Sequence, residues 1–221
     1  MLVDREQVAA GKYSWLRLHV SAVPGISDSY VTLFDGNTPE LNIPSGSQTG
    51  LKINTPFTLV ADEDNSMTID FDLRKSLVLT GSGQYELRPT LRLVNDALVG
   101  SITGTVDVSL ISSTLLCSDS DPDTGNAVYV YPGFDVVPED LNSSNINDVV
   151  TANVVWNAEL NEYVFEVAHL EAGDYTIALT CQADLDDSEA NDSITFISSE
   201  NASVVASDSD DPTPDPPVIS R

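Results

Sequence analysis

Short runs in which apolar and polar residues alternate recur along the whole chain, separated by Gly, Pro, Asn and Asp. Alternation with a period of two puts one set of side chains on each face of a strand, so the pattern predicts antiparallel β-structure; helical periodicity is nearly absent. In TIDFDLRKSLVL the apolar set Ile69, Phe71 and Leu73 alternates with Asp70, Asp72 and Arg74. After a turn at Gly81-Ser82-Gly83, YELRPTLRLV sets Tyr85, Leu87, Leu91 and Leu93 against Glu86, Arg88, Thr90 and Arg92. The two segments read as a hairpin whose polar faces meet. Other strands of the first half are expected at 14–21, 30–34, 41–43, 51–53 and 57–60. In the second half they are expected at 102–110, 127–131, 149–156, 162–168, 174–182, 193–198 and 202–206, the seven strands of an immunoglobulin-like or transthyretin-like sandwich. The expected fold class is all-β, with two antiparallel β-sandwich domains in tandem.

Charge changes this picture by dividing it. The chain carries nine Lys or Arg and thirty-five Asp or Glu, a formal net charge of -26, yet 41% of its residues are hydrophobic and suffice for a core. A nucleic-acid reader needs a basic face and an anionic membrane attracts one, so both partners are disfavoured. Residues 1–92 hold eight bases against eleven acids, for -3, whereas residues 93–221 hold one base against twenty-four acids, for -23. The asymmetry predicts a domain boundary, and the expected division is 1–97, 98–206 and a disordered acidic, Pro-rich tail at 207–221. No window is apolar enough to span a bilayer, and the first residues lack the pattern of an export signal.

Candidate chemistry is sparse. The hairpin places Asp70, Asp72 and Arg74 across from Arg88 and Arg92, with Lys75 beside them, as either a surface charge ladder or a small polar site; the ladder is favoured. The glycines of IPSGSQTGLKI read as a structural turn, because a phosphate loop would need GKS or GKT and a following helix. His19 and His169 sit singly in strand patterns, and no nucleophile–base, zinc-protease or zinc-finger spacing occurs, so no catalytic residues are assigned and the chain is expected not to be an enzyme.

The phrases AGKYSWLRLHV, IPSGSQTGLKI, TIDFDLRKSLVL, YELRPTLRLV and GSITGTV, in that order, resemble the bacterial family known as domain of unknown function 4382. Residues 101–206, with AVYVY, YVFEVAHLEAGDYTIALTCQAD and DSITFI, resemble the carboxypeptidase-regulatory-like, prealbumin-like β-sandwich. The resemblance implies an exported, lipoprotein-type protein of the cell envelope, with no catalytic residues to carry over. Against that family the chain starts just before the AGKY segment, so the first domain is expected to be truncated at its N-terminus.

Cys117 and Cys181 are either buried free thiols or, as the even count in an exported protein favours, a disulfide. Each precedes an acidic loop: SDSDPDTG carries Asp119, Asp121 and Asp123, and QADLDDSEAND carries Asp184, Asp186 and Asp187. Alternate aspartates ending near a glycine suit a hard cation, although the EF-hand template fails because residue 130 is Val. The alternatives are a solvated loop pair and a structural calcium site built from these six aspartates. The expected function is a non-catalytic envelope module, structural or binding a protein or polysaccharide partner. The alternatives are a calcium-dependent binder and an accessory part of a larger envelope enzyme.

Overall fold

The computed structural model describes residues 6–23, 25–26, 28–33, 35–44, 46–113, 117, 125–146, 148–206 and 218–219. Among the described residues the regular secondary structure is mostly β-strand, with only short helical turns. It divides into two compact units, Met1–Asn95 and Asp96–Arg221. Among the described residues no helix is long and apolar enough to cross a membrane.

The first unit holds β1 (Gly11–Tyr13), β2 (Leu16–Leu18), β3 (Leu41–Asn42), α1 (Gly46–Thr49), β4 (Leu51–Ile53) and β5 (Phe57–Leu59). It continues with β6 (Met67–Asp72), α2 (Leu73–Ser76), β7 (Leu77–Leu79), β8 (Tyr85–Leu87) and β9 (Thr90–Asn95). Strand β1 pairs with β5, β2 with β4 and β6 with β9, all antiparallel, while β3, β8 and β7 form a small mixed sheet. The alternation of LKI shows in its burial: Leu51 and Ile53 are buried and Lys52 is exposed. Leu87 and Leu93 are buried as well, from β8 and β9.

The expected hairpin is present but interrupted. Asp72 accepts a hydrogen bond from Lys75 N (3.3 Å) as the cap of α2, and this local bond competes with the ladder and ends β6. The wholly buried Ser76 joins the two halves again: its hydroxyl accepts from Thr90 N (2.8 Å) and its carbonyl from Arg88 N (2.8 Å). The turn rotates Leu73 outward to 63% exposure, so it leaves the apolar face that alternation assigns it.

The second unit holds β10 (Val99–Val106), α3 (Val108–Ser113), β11 (Ala127–Pro132), β12 (Val150–Asn153), β13 (Val155–Asn157) and β14 (Glu162–Glu171). It ends with β15 (Gly173–Thr180), β16 (Phe196–Val204) and β17 (Val218–Ile219). One sheet has the order β13-β14-β10-β17 and the other β12-β11-β15-β16. The expected strand at 102–110 ends early in α3, that at 149–156 divides into β12 and β13, and those at 193–198 and 202–206 fuse into β16. Within the expected tail, β17 pairs parallel to β10 and Ile219 is fully buried.

The core has two parts because β11 is buried on both faces. Val128 and Val130 join Ile102, Phe165, Val167, Ile177 and Leu179 in the larger cluster. Ala127, Tyr129 and Tyr131 point the other way, into a second cluster with Leu141, Val149, Ala178 and Ala183. Cys117 and Cys181 are joined in a disulfide that spans a sequence separation of 64 and lies in the larger cluster. Closing a loop of that length restricts the unfolded chain by about 4 kcal/mol. Replacing both cysteines by serine is expected to lower unfolding stability by about that amount in denaturant titration, and a loss under about 1 kcal/mol would contradict the assignment.

Candidate functional site

Two clusters of charge stand on these elements. In the first unit, register places Asp70 opposite Arg92 on β6 and β9, and the Arg92 guanidinium donates to Asp70 Oδ2, with Nε at 3.0 Å. Asp72 pairs with Lys75 at 3.5 Å. Lys75 is buried, which lowers its pKa, while Asp72 acts to raise it and Arg92 lowers it further. Arg88 turns aside to Glu86 at 2.9 Å, and Arg74 lies in α2. The hairpin face therefore brings Asp70, Asp72, Lys75 and Arg92 together as mutually paired charges, the arrangement of a ladder.

The second cluster lies over the outer face of β11. The loop after β11 and the loop after β15 cover Tyr129 and Tyr131, whose rings meet Phe196 edge-on. A buried phenol needs a partner for its hydroxyl. Tyr131 donates to Glu139 O at 2.5 Å, and burial raises its pKa. Tyr129 donates to Asp186 Oδ2 at 2.5 Å, and Leu141 N donates to the same oxygen at 3.2 Å. Asp140 Oδ2 accepts from Asp192 N at 2.6 Å, and Asp192 Oδ2 accepts from Asp187 N at 2.7 Å.

These bonds bring Asp140, Asp186 and Asp192 together, with one carboxylate oxygen of each within 4.8 Å of the others. Asp186 Oδ1 is buried and has no hydrogen-bond partner among the described residues. Three carboxylates at that distance repel unless they share a proton or a cation. Burial pushes the Asp186 carboxyl above its ordinary 3.8; the bonds from Tyr129 and Leu141 oppose this, and Asp140 and Asp192 add to it.

Of the six aspartates read from the sequence as cation ligands, Asp186 belongs to this cluster. Asp184 and Asp187 are exposed, and Asp187 caps its own loop by accepting from Glu189 N at 3.0 Å. Asp119, Asp121 and Asp123 lie outside the described residues. Gly125 (φ +72°) has no room for a side chain, since an added Cβ would lie 2.7 Å from Cys181 O and 2.8 Å from Asp184 Oδ1. Asp140 carries no sequence signal, because the covering of β11 and not spacing brings it to Asp186.

Residues 1–89 match the family described as Domain of unknown function (DUF4382). The match confirms the resemblance carried by the phrases of the first half. No curated protein matches the chain. A solved structure from Pseudomonas aeruginosa, described as "a putative carbohydrate binding protein", is similar at 16% identity, over 58% of this chain and 92% of that one, with a TM-score of 0.31. At that score the likeness carries no argument about the site.

The raised Asp186 carboxyl has a consequence for stability. A group protonated more readily in the folded state stabilises fully below its unfolded pKa of about 3.8, and that contribution is lost as pH rises through the elevated folded value. In chelator, the melting temperature of the second unit is expected to fall over this window. Asp186→Asn, which keeps an acceptor for Tyr129 and offers an amide to the neighbouring carboxylates, is expected to flatten the fall; an unchanged pH profile would contradict it.

Proposed function

We propose that the protein is a non-catalytic, extracytoplasmic binding module of the cell envelope whose second unit is clamped by a calcium ion. The observation that carries the calcium reading is the convergence of Asp140, Asp186 and Asp192 around the buried Asp186 Oδ1, which has no hydrogen-bond partner among the described residues. Calcium is bound by oxygen alone and takes six to eight ligands, which leaves room for water or backbone carbonyls beside three carboxylates. An ion there supplies charge neutralisation and joins the loop after β11 to the loop after β15. The export reading is supported by the disulfide, because such bonds persist mainly in oxidising compartments. The non-catalytic reading rests on the sequence, which offers acids in abundance but no nucleophile–base constellation.

Modules outside the cell bind calcium with dissociation constants of about 0.1 to 1 mM, so about 5 mM calcium is expected to stabilise the folded state by about 1 to 2 kcal/mol. Thermal unfolding of the full chain in chelator and in calcium measures this. The rise should vanish in Asp186→Asn and persist in Asp187→Asn. Equal melting temperatures with and without calcium would overturn the calcium reading.

A further inference from the structure

The acids of this chain are not spread at random through the first unit. Residues 7–27 and 41–61 contain no Asp or Glu, and together they hold Lys12, Arg17, His19 and Lys52. Folding brings these two acid-free stretches side by side: β1 lies on β5 and β2 on β4. On the β2–β4 ladder, Leu51 and Ile53 turn inward and Arg17 faces Lys52 directly in register, both exposed. Gly50 (φ +67°) permits this close pairing, since a Cβ there would lie 2.2 Å from Leu18 O.

Two like charges at facing positions of neighbouring strands repel. Here both are gathered on one indole: the Arg17 guanidinium carbon and Lys52 Nζ each lie 5.3 Å from the centre of the Trp15 ring. The electron-rich ring face offsets part of the repulsion but neutralises neither charge. No carboxylate among the described residues pairs with Arg17 or Lys52, whereas Lys75, Arg88 and Arg92 all have acidic partners. Trp15 remains 48% exposed. In a chain of charge -26, this is a cationic pair beside a flat apolar surface, with no acidic partner among the described residues.

We propose that Trp15, Arg17 and Lys52 form a binding site for an acidic polysaccharide, a polymer of uronic acid type. A sugar ring offers an apolar C–H face to the indole, and its carboxylate suits the guanidinium and ammonium donors. A nucleic acid offers a base and a phosphate to the same three groups. A single strand carries one charge per about 3.4 Å, closer than the one per sugar of a polyuronate, and so meets the stronger repulsion from a chain of charge -26. The unit that carries the site is close to balanced, with residues 1–92 at -3, so the weaker polyanion meets little net repulsion from it. This inference rests on the reading of the chain as a binding module but not on the calcium site.

Calorimetric titration of the full chain, in chelator, with polygalacturonate, its fully methyl-esterified counterpart and single-stranded DNA tests the proposal. The acidic polymer is expected to bind, and the ester to bind at least about tenfold more weakly. The double variant Arg17→Gln/Lys52→Gln and the single variant Trp15→Ala should each lose about tenfold, while Lys12→Gln, on the opposite face of β1 from Tyr13, should change affinity less than about twofold. Binding should weaken as salt rises from about 50 to about 500 mM. Should the double variant lose its thermal transition, Lys52→Gln alone carries the comparison. No binding of the acidic polymer, equal binding of the ester, tighter binding of DNA or undiminished binding by the charge variants would each overturn the site. The calcium-dependent melting behaviour would stand or fall separately.

Discussion

The second unit depends on one constraint: strand β11 is apolar on both faces. AVYVY places Val128 and Val130 between the two sheets of the sandwich and leaves Ala127, Tyr129 and Tyr131 on the outside. Two tyrosines on an outer face cannot stay in water without losing much of their burial energy, nor be covered without partners for their hydroxyls. The loops after β11 and β15 meet both needs, burying the rings with Leu141, Ala183 and Phe196 and supplying Glu139 O and Asp186 Oδ2. The acid cluster is thus built by the same loops that finish the core. Asp140 and Asp192 come to Asp186 because their loops must lie over β11.

Electrostatically the two units solve different problems. In the first, the acids of the hairpin meet bases across the ladder, and the remaining acid-free ribbons hold a cationic pair on an indole. In the second, acids exceed bases so far that they cannot pair with one another's opposites, and the folded state concentrates three of them at one place. Shared protonation relieves such a cluster at low pH, and the calcium ion proposed above would relieve it at neutral pH. The Cys117–Cys181 bond anchors the first residue after β15, three residues before Asp184 in the loop that also carries Asp186 and Asp192.

Much of the architecture was legible because burial follows alternation wherever a strand has one wet face. LKI and EYVFEVA show this directly, and Asp70 faces Arg92 as the hairpin register requires. What escaped the pattern is local competition and tertiary placement. Asp72 caps a helical turn that ends a strand early, and Ile219 finds a place in the core although the residues before it carry the composition of a tail. The aspartates read from spacing alone included Asp184 and Asp187, which face solvent, whereas the acid cluster draws on Asp140, whose position depends on the cover of a distant strand. The pairing of the two acid-free stretches was likewise invisible until β1 met β5 and β2 met β4.

Tyr129 and Asp186 act as one unit, tying the covering of the core to the acid cluster. A double-mutant cycle with Tyr129→Phe and Asp186→Ala, each of which removes the bond between them, is read by denaturant unfolding in chelator at neutral pH. Residues sharing a buried hydrogen bond are expected to be non-additive by about 1 kcal/mol or more. Additivity to within about 0.3 kcal/mol would mean that the hydroxyl and the carboxylate act independently, and would contradict the account.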